Sequence, residues 1–129
     1  LIISYLITFV FLGIYFFDSY LDKQKIIEKQ RLGALNEIKK GIVKKKFGSG
    51  LIIFDENYDK RVKEIDSLQR KKYGFFVEST GCIIHEEDKY YNEAVDEYLK
   101  KRNGKNWENQ YEKEIALIIK KYPIKEIER

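Results

Sequence analysis

The sequence predicts an α+β chain. An N-terminal transmembrane helix continues into a juxtamembrane helix, and a small three-stranded sheet with helices packed on one face follows. Three observations lead there. Leu1 to Phe17 carry no charge, and twelve of these seventeen residues are Leu, Ile, Val or Phe. Later segments repeat apolar residues at helical spacing and stop at glycines. Short β-prone runs lie between those segments. The expected organisation is an anchor over 1–22, a juxtamembrane helix over 23–40 and an α+β domain over 41–129.

A helix of seventeen residues is about 25 Å long, slightly short of a bilayer core of about 30 Å. Tyr20 and Leu21 extend the apolar stretch into the interface, where Tyr is favoured. The run ends Phe16-Phe17-Asp18-Ser19-Tyr20, with no small-x-small cleavage site. The only cysteine, Cys82, is far from the run, so a lipoprotein signal does not fit. The expectation is a retained single-pass anchor in the cell (inner) membrane. Ser4, Thr8 and Gly13 are the small residues through which it would pack on other helices. The side on which the rest of the chain lies is open.

The net charge of +4 is unevenly placed: residues 1–22 carry −2, residues 23–47 carry +7 and residues 48–129 carry −1. The basic character therefore belongs to a collar after the apolar run. Lys23, Lys25, Lys29 and Arg31 are expected to touch lipid headgroups, at about 1 kcal/mol each near an anionic surface. The remainder is balanced and lacks an RNA-binding or helix-turn-helix pattern, so nucleic acid is not expected as a partner. One cysteine permits no internal disulfide.

Along the chain, SYLDKQKIIEKQRLGALNEIKKG has strong helix formers, no Pro and Gly41 at its end. It predicts one helix from the apolar run to about Lys40, with a partial stripe of Ile27, Leu35, Ile38 and Ile42. The runs IVKKKF and LIIF around Gly48-Ser49-Gly50 predict a hairpin. Asp55 or Asn57 opens a helix to about Tyr73, with Val62, Ile65 and Leu68 inward and Gly74 as its stop. Phe75 to Ile84 reads as a strand broken at Thr80-Gly81. Glu86, Glu87 and Asp88 suit the positive end of the next helix. There Tyr90/Tyr91, Ala94/Val95 and Tyr98/Leu99 recur every four residues, and Asn103-Gly104 ends the pattern. The last helix places Trp107, Tyr111, Ile115, Ile118 and Tyr122 on one face, and Pro123 stops it.

Few residues suggest chemistry. Cys82 and His85 are the one soft nucleophile and the one imidazole, but on a strand they point to opposite faces, which argues against a catalytic pair. As metal ligands they lack a third and fourth partner. The expectation is Cys82 in the core and His85 ahead of a helix. Glu86, Glu87 and Asp88 are adjacent and do not converge as calcium ligands do. Lys44-Lys45-Lys46 reads as a solvated strand edge, which lysine protects from pairing. Among the aromatics, Tyr90, Trp107 and Tyr111 are candidates to face a partner, since amphipathic rings are enriched at interfaces. No cofactor is expected.

Tyr73-Gly74-Phe75, Gly81-Cys82, Tyr91-Asn92, Tyr98-Leu99 and Gly104-Lys105-Asn106-Trp107 form a pattern YGF…GC…YN…YL…GK.W. The pattern resembles that of small single-pass bacterial membrane proteins and covers roughly the last seventy residues. The resemblance implies an anchored α+β domain with no catalytic residues. The functional expectation is a non-enzymatic accessory or scaffolding subunit of a larger membrane complex, touching integral membrane proteins and lipid. The alternative is a freestanding anchored binding or immunity-type module. An enzyme is the least supported reading.

Overall fold

The computed structural model describes residues 2–48, 54–83 and 85–124, with the side chains of residues 2–4 and 6 excepted. Helix α1 spans Ile2–Lys39 without a break and ends in a turn at Gly41, whose φ of 80° admits glycine readily. Strand β1 is Lys44–Phe47, helix α2 is Tyr58–Leu68 and strand β2 is Phe76–Ser79. Helices α3, Asp88–Asn103, and α4, Trp107–Lys121, complete the order.

The strands pair parallel, Lys44 with Phe76 through Phe47 with Ser79. Among the described residues the sheet has these two strands, so the expected three-stranded sheet is corrected. A hairpin would make the β1 pairing antiparallel and local. The parallel pairing instead requires a crossover of a dozen or more residues, and α2 supplies it. Of the expected hairpin, Ser49-Gly50 of the turn and Leu51 to Ile53 of the second arm, LIIF, lie outside the described residues, and Phe54 of that arm is exposed and in no strand. Strand β2 is also shorter than the Phe75–Ile84 expectation. It stops at Ser79 and the chain turns at Gly81, whose φ is 83°.

Helix α2 continues into a π-helical turn, Gln69–Tyr73, closed by Gly74 at φ 76°. The Gly74 and Phe75 amides both donate to the Gln69 carbonyl, which widens the last turn. Tyr73 and Gln69 are buried at this turn, whereas Val62, expected inside, is exposed. The core gathers Ala34, Val43, Tyr73, Phe75, Tyr91, Ala94, Val95, Leu99 and Trp107. Tyr73, Phe75, Trp107 and Tyr111 form a ring cluster with centroids 5.3–6.2 Å apart, within the range where edge-on and tilted pairs attract.

The transmembrane anchor expected over 1–22 is corrected as well. Among the described residues no helix is long and apolar enough to cross a membrane. The uncharged run stops at Phe17, about 25 Å of helix against a bilayer core of about 30 Å, and Asp18, Asp22 and Lys23 follow, whose hydration opposes burial in lipid. The single-pass and inner-membrane expectations lose their support with it.

A buried ion pair closes one end of the head, the body that the elements from β1 to α4 form with the last part of α1. Arg61, 7% exposed, meets Asp55 through two parallel bonds of 3.1 and 2.8 Å. The same guanidinium donates to the carbonyls of Tyr122 and Pro123 at 3.1 and 3.3 Å, tying the end of α4 to the start of α2. Planar bidentate geometry is what an arginine supplies and a lysine does not. Arg61→Ala would take the guanidinium away from the buried Asp55 carboxylate. Urea unfolding should show a loss of about 3–5 kcal/mol, with Arg61→Lys recovering only part of it. A loss below about 0.5 kcal/mol would contradict the clamp.

Candidate functional site

The residues of α1 divide into two classes. From residue 7 to residue 26 every one is exposed, on all sides of the helix. Phe9, Phe11, Tyr15 and Phe16 are 67–77% exposed, and Ile7, Val10, Leu12, Ile14 and Phe17 are also open. Beyond residue 26 the helix packs on α3. Ala34 is fully buried, and its small side chain lets the two helices approach closely. Gln30 donates to Glu87 at 3.2 Å, and Arg31 pairs with Glu97 at 3.1 Å. The stripe of Ile27, Leu35, Ile38 and Ile42 expected here is only partly right: Leu35 and Ile42 are exposed, and Ala34 takes the central place.

A polar joint fixes this packing. The Tyr91 hydroxyl of α3 donates to the Glu37 carboxylate of α1. Lys44 of β1 lies 3.3 Å from Glu37 and 3.1 Å from Glu78 of β2, with only 14% of its side chain exposed. Four elements therefore meet at one set of charges. The Tyr91 bond and then Lys44 outweigh burial and hold the Glu37 carboxyl below its usual range. Burial, reinforced by the neighbouring Glu37 carboxylate, pushes the Tyr91 phenol well above its usual value. Burial acts to depress the Lys44 ammonium, but its bonds to Glu78 and Glu37 prevail and its pKa rises.

The lysine triplet is thus not a solvated edge. Lys45 reaches Asp96 at 2.8 Å, and Lys46 reaches Asp88 at 3.6 Å while covering the Tyr91 ring at 4.3 Å. Asn92 accepts from the Lys46 amide at 2.8 Å and donates to the Lys46 carbonyl at 2.7 Å. A side-chain amide here imitates a neighbouring strand and closes that edge of β1.

The residues singled out from sequence fall as follows. Thr8 and Gly13 are exposed on the open first part of α1, called the arm below, and an added Cβ at Gly13 would meet nothing within 4 Å. The side chain of Ser4 lies outside the described residues. Gly13 sits about 140° around the helix from Thr8, so the two do not share one packing face. Of the expected headgroup residues, Lys25 is 3.4 Å from Asp22, and Arg31 belongs to the α3 contact. Lys23 shares a depression with His85, Glu86, Glu87 and Tyr90 where α1 leaves the head, and Lys29 is exposed. Trp107 is 3% exposed and so belongs to the core. Tyr90 and Tyr111 are half-buried, and the Tyr111 hydroxyl accepts from Gln69 at 2.7 Å.

Cys82, expected in the core, is exposed because β2 ends before it. His85 is exposed ahead of α3, and Ile84 between them lies outside the described residues. Among the described residues no group of three or more His, Cys, Asp or Glu is placed to hold a metal ion. The YGF…GC…YN…YL…GK.W positions mostly serve the packing described above. Tyr73, Phe75, Tyr91, Leu99 and Trp107 are core residues, Gly74, Gly81 and Gly104 take positive φ, and Asn92 closes β1. Compared with family models, curated proteins and solved structures, the chain matches none.

The joint predicts a pH signature. A lowered Glu37 pKa gives stability that is full above the ordinary carboxyl value of 4.5 and is lost as pH falls through the folded value. Raised Lys44 and Tyr91 values give stability that is full below about pH 10 and is lost above it. Tyr91→Phe should cost about 1.5 kcal/mol near neutrality, at the low end for a bond to a charged group. The value is low because 34% of the Glu37 side chain meets water. Chemical unfolding across pH should show the gap to wild type narrowing as pH falls below the ordinary carboxyl value of 4.5 and Glu37 protonates. A gap independent of pH would remove the charge from the account.

Proposed function

We propose that the chain is a non-enzymatic accessory subunit of a larger protein assembly. Its head holds the apolar half of α1 out as an arm, and a partner protein encloses that arm. One observation carries the reading: residues 7–26 are exposed around the whole helix, while the same helix beyond them is packed and bonded onto α3. Monomeric proteins seldom leave contiguous apolar surface of this extent open. An all-round apolar helix is a buried helix, so its cover must come from several sides rather than along one stripe. The arm lacks a sustained heptad, which argues against a simple coiled-coil partner. The head gives direction: the docked part of α1 continues into the arm without a hinge residue, so the arm leaves at a fixed angle.

The test places a photo-crosslinking residue at Phe11 in the full-length chain in its native cells. The reading expects one protein in covalent contact with that position, at least tenfold depleted when Ile14→Lys and Phe16→Lys are introduced together. Because both side chains are exposed, the head should unfold within about 0.5 kcal/mol of wild type. Crosslinks to lipid alone, to other copies of this chain alone, or a yield unaffected by the double variant would overturn the reading.

A further inference from the structure

A groove of about 740 Å³ opens on the head between the face of the two strands, α3 and α4. Its floor is aromatic: Phe75, Trp107 and Tyr111 line it from beneath. Its lip is apolar and open, with Phe47 64% exposed and Val77 43% exposed. Strand alternation brings Lys45, Phe47 and Val77 to one face, and α3 and α4 flank that face without roofing it.

The charges around the groove are unequal. Lys45 and Lys46 are already paired with Asp96 and Asp88. Lys89 lies over the Tyr90 ring at 4.8 Å. Glu93, Glu108 and Glu112 line the walls, all exposed, and among the described residues none has an ion-pair partner. Their spacing has a simple origin. Trp107 and Tyr111 stand four apart on α4, and Glu108 and Glu112 form the next row outward, so one helix supplies both floor and rim.

We propose that this groove docks an amphipathic helix with a basic polar face from a partner protein. Its apolar side would lie on Phe47, Val77 and the aromatic floor, and its Lys or Arg side chains would meet Glu93, Glu108 and Glu112. An added strand is the wrong occupant at β1, because Asn92 already bonds both backbone groups of Lys46 there. The inference does not rest on the arm or its cover.

Trp107 is the only tryptophan of the chain, so its emission reports the groove and not the arm. The full-length chain is titrated with a synthetic amphipathic peptide of about 14 Leu and Lys residues, and with its Leu/Glu counterpart. A saturable change in Trp107 emission is expected with the basic peptide, at least tenfold weaker with the acidic one. Raising the salt should weaken it. The variant Glu108→Lys/Glu112→Lys should lose at least tenfold in affinity while its melting temperature stays within about 2 °C, since both positions are exposed. Val77→Asp, a change of the apolar lip alone, should weaken binding as well. No emission change, equal response to both peptides, or binding undiminished in the charge-reversed variant would overturn the proposal. A change that follows protein concentration without peptide would assign the groove to a second copy and would also overturn it.

Discussion

The Glu37–Tyr91 bond, with Lys44 bridging Glu37 to Glu78, is the constraint on which the rest of the structure depends. It joins α1, β1, β2 and α3 at one place. A two-stranded sheet cannot stand alone in water, and here it is held by charge on one side and by the aromatic cluster on the other. Without the joint, the direction of α1 would rest on the packing of Ala34 and Ile38 and on the exposed contacts of Gln30 and Arg31. Partly buried charges are costly unless each is matched, and in this joint each carboxylate has a donor. The effect is directional more than stabilising: it sets where a long helix points.

That direction sets apart the two surfaces proposed above. The arm presents exposed aromatic and aliphatic side chains on every side of a helix, and on our proposal a partner protein encloses them. The groove lies on the head, with an aromatic floor and a carboxylate rim. Between them runs the β1–α3 strap of Lys45–Asp96, Lys46–Asp88 and the two Asn92 bonds. The strap positions Asn92 and Asp96 beside the groove while closing the β1 edge against unwanted pairing. Cys82 and His85 sit exposed on the turn region after β2, outside both surfaces.

Helices α3 and α4 were legible because their burial follows local spacing: Tyr91, Ala94, Val95 and Leu99 are the residues that a period of 3.6 selects. The break after Lys39 was legible because Gly41 announces a positive φ. What misled was non-local. β1 finds its partner beyond α2, so the Gly-rich turn after Phe47 suggested a hairpin that the parallel pairing replaces. The lysine triplet looked solvated because Glu37, Glu78, Asp88 and Asp96 come from three other elements. Ala34 outranks Leu35 because closeness to α3, not side-chain hydrophobicity, decides that contact. Arg61 could not be read as buried, since its acceptors are Asp55 and the distant carbonyls of Tyr122 and Pro123. The apolar run itself was plain. Its reading as a membrane span failed, because no helix among the described residues is long and apolar enough to cross a membrane.

Hydrogen exchange along α1 in the full-length chain tests the central claim most directly. If the joint fixes the helix to the head, the amides of residues 30–39 exchange with the slow amides of α3, and those of residues 8–20 exchange much faster. In Glu37→Gln the first group should speed up while α3 and α4 keep their protection. Uniform fast exchange along the whole of α1, with the head still protected, would contradict the account.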